Sequence, residues 1–257
     1  MLNKFSYHIV DISPWPLFLS FSIFESMMGM LEMLFYNEKL CLMMGIYNML
    51  WIIFMWMRDI TREGTFQGQH TIKVVFGLKM GMIFFIISEI LFFFSFFWMI
   101  VWNGMIPSVE GWPPLGLLPV DYLNIPLLGT IILVSSGVTL TIAHHKLVEN
   151  KFDSIKFLLF TIIMGLSFTI IQLMEYFENS FTISDGLFGS IFYMSTGFHG
   201  FHVILGSLFL MVSSYRMVIG HFSRVHHFGF EAAAWYWHFV DVVWLFLFVI
   251  MYWWSCL

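Results

Sequence analysis

Seven long apolar runs decide what this chain can become. Drawn on the sequence, they cover roughly 15–36, 41–57, 74–102, 127–143, 157–177, 187–214 and 232–254. Each is near or above the ~17–25 residues that a helix needs to cross a bilayer. A soluble domain carries about 25 % charged residues; here 11 % are charged and 60 % hydrophobic. A transmembrane barrel would alternate polar and apolar residues over segments of about ten, which unbroken runs exclude. The expected fold is an all-α integral membrane protein with seven transmembrane helices.

Two patterns test that drawing. Proline is costly inside a helix, and Pro14, Pro16, Pro107, Pro113, Pro114, Pro119 and Pro126 all fall at span ends or in the 103–126 connection. With seven spans, one membrane side collects the N-terminus and the loops 58–73, 144–156 and 215–231. That side holds ten of the eleven cations, from Lys4 to Arg224, and leaves only Lys39 opposite. Such asymmetry puts the N-terminus inside and the C-terminus outside. The polar 58–73 connection divides a two-helix unit, 1–57, from a five-helix unit, 74–257. Net charge is −5, and nothing points to nucleic acid. Cys41 and Cys256 make neither a disulfide framework nor a CxxC site. The N-terminus has no apolar core of a cleavable presequence. Phe (32) and Met (20) abound while Ala occurs four times, a skew that fits an AT-rich organelle genome or a lipid-facing bias.

Ionisable groups in hydrocarbon are costly and usually face protein. Glu89 lies ten residues past Lys79, about 15 Å into the membrane at 1.5 Å per residue, and is the carboxylate expected to handle protons or line a route. Glu175, near the end of its span, reads as structural. Glu231, His238 and Asp241 fall within about 80° on one helix face. His199 and His202 stand at i, i+3, a spacing that could ligate a metal or haem iron. The pattern Thr196-xxx-Gly200 beside them favours close helix packing. His144–His145 and His226–His227 are adjacent pairs, so neither pair chelates well by itself; no metal site is expected. Ala232, Ala233 and Ala234 mark where the last helix is approached closely.

Six stretches carry a resemblance: WMRDITREGTFQGQHT, MIFFIISEILFFFSFFW, GWPPLG, SSGVTLTIAHH, FTISDGLFGSIFYMSTGFHGFHV and HHFGFEAAAWYWHFVDVVWLFLFVIMYWW. Together with the entry YHIVDISPWP they resemble cytochrome c oxidase subunit III, of the mitochondrially encoded type, over nearly the whole chain. The resemblance implies a V-shaped, lipid-filled cleft between helices I–II and III–VII and no redox centre in this chain. Haem and copper would sit in partner subunits, with subunit I, subunit II and small accessory subunits as neighbours in the mitochondrial inner membrane. The whole enzyme would pass electrons from cytochrome c to oxygen and pump protons. Residue by residue, it matches Glu89 to the family's reactive membrane carboxylate and Trp56, Arg62, Glu63, His70 and Arg216 to phospholipid contacts. His199, His202, Glu231, His238 and Asp241 match motif positions and are assigned to helix packing. Met57 stands where the family usually has an aromatic, and Glu25 and Glu32 make the first span more acidic than usual. Two other readings exist on the residues alone. One is a proton channel relaying through Glu89, Glu175 and His238; the other is a metalloenzyme built on His199, His202 and His238.

Overall fold

The computed structural model describes residues 6–105 and 116–256, save the side chain of Met105. Glu110, Pro107, Pro113, Pro114 and most of the GWPPLG motif lie outside the described residues. Seven α-helices follow in order: α1 Trp15–Tyr36, α2 Leu40–Thr65, α3 Ile72–Met105, α4 Ile125–Val148, α5 Asp153–Glu178, α6 Gly186–Val218 and α7 Phe228–Leu247. The chain then continues through a π-helical segment, Phe248–Trp253, and a 3-10 turn, Trp254–Cys256. All seven are long and apolar enough to cross a membrane, and no strand occurs among the described residues.

The helices outrun the apolar runs at most of their ends. Residues 58–65, read above as part of a loop, continue α2 as far as Thr65, so the connection to α3 is 66–71. Hydropathy marks where hydrocarbon stops, whereas backbone hydrogen bonding can continue into polar surroundings. Here Thr61 Oγ1 donates back to the Met57 carbonyl at 2.8 Å, and Phe66 N–H closes the end on the Arg62 carbonyl at 2.9 Å. Pro16 and Pro126 sit in the first turns of α1 and α4, where the missing N–H costs nothing.

Packing divides the chain into two units, 1–78 and 79–257. The first is a hairpin of α1 and α2 with the opening of α3. Asn37 makes the turn with φ 57°, a left-handed position that asparagine tolerates. The two helices then approach backbone to backbone: a Cβ on Gly29 would strike Leu42 N, and one on Gly45 would lie 2.6 Å from Ser26 N. Glu25 is not stranded in lipid, because Asn48 Nδ2 of α2 donates to it at 3.0 Å. Near the polar end, Trp15 Nε1 donates to Asp59 at 2.7 Å, and Thr71 Oγ1 donates to the Ser6 carbonyl at 2.6 Å.

In the second unit, α4 packs on α5 and α7, and α6 on α5 and α7. Trp237 of α7 is fully buried and donates Nε1–H to Ser136 Oγ of α4 at 2.9 Å. Its indole lies in notches left by Gly165 of α5 and Gly206 of α6. Ala232, Ala233 and Ala234 are buried, as their small size suggested. Gly200 behaves otherwise: a methyl added there would meet nothing within 4 Å, so the Thr196-xxx-Gly200 pattern is not a close seam. From Lys79 onward, α3 reaches its neighbours through rings. Phe85 stacks on Tyr236, Phe92 meets Phe198 edge-on, and Phe97 meets Phe246.

Overpacking a filled core typically costs about 1–3 kcal/mol. Gly165→Val is therefore expected to lower the thermal midpoint of the purified protein, measured by scanning calorimetry. Gly200→Ala should leave that midpoint unchanged.

Candidate functional site

The membrane carboxylate has a partner. Glu89 Oε2 lies 3.0 Å from His202 Nε2, which links α3 to α6. The other ring nitrogen, Nδ1, lies 2.7 Å from the Phe198 carbonyl one turn earlier. A carbonyl only accepts, so Nδ1 carries the hydrogen. Nε2 then either accepts a proton held by Glu89 or donates its own to a carboxylate. In both states a single proton lies between the two groups and satisfies them. The His202 ring meets Phe93 edge-on at 5.2 Å and stacks over Tyr236 at 6.2 Å. Phe85, Ser88, Phe92, Phe201 and Leu205 complete, with the pair, the wall of a cavity of about 350 Å³.

His199, three residues earlier, faces other helices. It is buried between Phe168 of α5 and Trp244 of α7, with centroids at 5.7 and 5.1 Å, and neither ring nitrogen has a hydrogen-bond partner among the described residues. It packs as an aromatic ring rather than bonding across the gap. His238 Nδ1 stands 4.0 Å from Asp241 Oδ2, and that oxygen faces α4, 2.8 Å from where a Cβ on Gly137 would sit. His238 also lines an apolar groove of about 580 Å³ between α3 and α7, with Ile90, Trp98 and Phe246. Glu175 accepts from Tyr252 at 2.7 Å and from Gln172 at 3.2 Å, a structural use as expected. The widened π-helical segment carries that tyrosine.

At the other end of α7, Glu231 does more than pack. Lys79 Nζ lies 2.6 Å from its Oε2, and His227 Nε2 lies 3.4 Å from its Oε1. His227 Nε2 also faces His144 Nε2 of α4 at 3.3 Å. Sequence reasoning missed this cluster because it weighed each adjacent histidine pair separately, whereas the fold takes one histidine from each. The helical reach from His227 to Glu231 (i, i+4) was the one signal available.

The residues matched to lipid contacts fall in both units. In the first, Glu63 accepts from or pairs with His8 at 3.2 Å, the His70 ring covers Gly64, Trp56 is half-buried and Arg62 is exposed. In the second, the Arg216 guanidinium lies 4.6 Å over the Phe222 ring and against Gly229.

A family model described as cytochrome c oxidase subunit III matches residues 5–256. The chain belongs to the cytochrome c oxidase subunit III family. It is 52 % identical over 254 residues to cytochrome c oxidase subunit 3 of Lemur catta, covering 97 % of this chain and 93 % of that one. The same protein of Mus musculus and that of Aedes aegypti are each 51 % identical over 97 % of both chains. A subunit III is a multi-pass membrane subunit of cytochrome c oxidase, complex IV of the respiratory chain.

In this chain the polar groups of the spans form separate clusters. No hydrogen-bonded path joins Glu89, Glu175 and His238 among the described residues. His199, His202 and His238 point to different partners and do not converge as ligands. Groups that share a proton are energetically coupled, by about 0.5–3 kcal/mol in double-mutant cycles. Glu89→Gln and His202→Gln are thus expected to be non-additive in unfolding of the purified complex. Additive effects would mean that the pair is not formed.

Proposed function

We propose that this chain is a non-catalytic core subunit that supports oxygen reduction and proton pumping carried out elsewhere in the complex. In this reading it lies in the mitochondrial inner membrane with its N-terminus in the matrix and its C-terminus in the intermembrane space. Haem and copper belong to partner subunits, and this chain stabilises subunit I, with subunit II and accessory subunits as further neighbours. Its own contribution is twofold. It holds phospholipid through the residues Trp56, Arg62, Glu63, His70 and Arg216, in the cleft that the family resemblance implies between helices I–II and III–VII. It also offers apolar space beside Glu89 that suits a small apolar molecule such as oxygen.

The observation that carries the lipid reading is Arg216. Its guanidinium is half-buried at the end of α6, against a phenylalanine ring, and among the described residues it has no carboxylate partner. A buried cation without its counter-charge is unfavourable, and a headgroup phosphate supplies that charge in the planar, forked geometry a guanidinium accepts. Cations gathered at one end of the spans favour anionic headgroups there by about 1 kcal/mol each. The oxygen reading rests on the cavity walled by Phe85, Phe92, Phe198 and Leu205 around the Glu89–His202 pair.

Arg216→Ala is expected to remove tightly bound phospholipid from the purified complex, counted by mass spectrometry of extracted lipid. Unchanged lipid content would sink the assignment, and Arg216→Lys, which keeps the charge but not the fork, should retain only part of it.

A further inference from the structure

The cluster at the start of α7 has the donor set and spacing of a metal site, which the subunit role does not require. Among the described residues, His144, His227 and Glu231 are the one group of three whose ligand atoms all lie within 4.8 Å of one another. Nitrogen and oxygen ligands stand about 2.0–2.2 Å from a tetrahedral zinc ion, so two of them lie about 3.3–3.5 Å apart. Two of the three edges match, 3.3 Å from His144 Nε2 to His227 Nε2 and 3.4 Å from His227 Nε2 to Glu231 Oε1, and the third, between His144 and Glu231, closes within 4.8 Å.

Outer contacts point the same way. His227 Nδ1 lies 3.0 Å from the Ser223 carbonyl and must donate to it, so its Nε2 presents a lone pair. Ligating histidines generally have their second nitrogen bonded to a carbonyl or carboxylate in this manner. Lys79 holds the far carboxylate oxygen, Oε2, at 2.6 Å and leaves Oε1 turned to the histidines. His227 is buried, and the other two ligands are half-buried.

We propose that His144, His227 and Glu231 bind a zinc-class divalent cation that ties the end of α4 to the start of α7. Three protein ligands leave a fourth position for water. Without metal, His144 Nε2–H donates to His227 Nε2. On binding, His144 carries its hydrogen on Nδ1 instead, both Nε2 atoms become ligands, and the carboxylate keeps its charge. Two imidazoles and one carboxylate suit zinc, while magnesium prefers an octahedron of oxygens.

The test uses the full-length chain in detergent without a histidine tag, stripped by chelation and then equilibrated with zinc or magnesium chloride. Zinc should raise the melting temperature in a concentration-dependent way, as a ligand of the folded state does; magnesium should not. Absorption at the zinc X-ray edge should fit two imidazoles with oxygen. His144→Gln, His227→Gln and Glu231→Gln should each weaken binding by about 10–100-fold or more, a loss seen even for outer-shell partners. His145→Gln and His226→Gln should bind as the parent does. No zinc-dependent rise in the parent, an all-oxygen edge spectrum, or equal weakening in the His145 and His226 variants would each overturn the proposal. Because the melting shift and the spectrum are read on the unaltered chain, a variant that fails to fold does not blur the outcome.

Discussion

One tryptophan sets the second unit. Between helices in lipid there is little hydrophobic drive, because hydrocarbon is as apolar as leucine; close packing and hydrogen bonds must do the work. Trp237 supplies both. Its ring occupies the gaps at Gly165 and Gly206, and its N–H reaches Ser136. A single side chain of α7 thereby touches α4, α5 and α6. It also fixes the register of α7 on α4, whose Gly137 faces Asp241, Ser136 faces Trp237 and His144 faces His227. From Ser136 to His144 along α4 the partner on α7 moves back from Trp237 to His227, as antiparallel neighbours require.

Beyond Lys79, α3 is held by different means. It carries few small residues there, so rings keep its backbone away from α6 and α7, and rings alone set depth poorly. Two polar links compensate: Lys79 to Glu231 and, ten residues on, Glu89 to His202. They lie about 15 Å apart along the axis. Hydrogen bonds between membrane helices average only about 0.6 kcal/mol and reach about 1.7. Their value here is directional: a slip of α3 by one turn would break both and leave charges facing hydrocarbon.

Number, order and approximate extent of the spans were legible because each apolar run matches a bilayer. The Ala232–Ala234 run was legible too, since alanine is so scarce here that its use marks a close approach. Helix ends were not: nothing in the composition of 58–65 says that α2 continues through Arg62 to Thr65. Partners across helices were hidden for a deeper reason. Spacing along one helix tells which residues share a face, but which face meets which depends on angles and depth that only packing sets. Glu89 and His202 were each singled out, yet their pairing over 113 positions was not. His144 and His227, 83 apart, were hidden in the same way. Gly200 looked like a contact and faces open space, because small residues permit close approach without requiring it.

Several acids of the second unit's spans have partners within it. Glu89 has His202, Glu175 has Tyr252 and Gln172, and Glu231 has Lys79 and His227, while Asp241 stands at the edge of reach of His238. Pairs fixed at different depths also align the helices that carry them. Each adds a specific contact where apolar surfaces alone would allow several alignments. The outward faces of α1 to α3 are left apolar, with side chains such as Phe24, Leu50 and Phe84 exposed. That division, polar groups spent inward and apolar surface turned outward, is what a subunit needs when lipid and neighbouring subunits must lie against it.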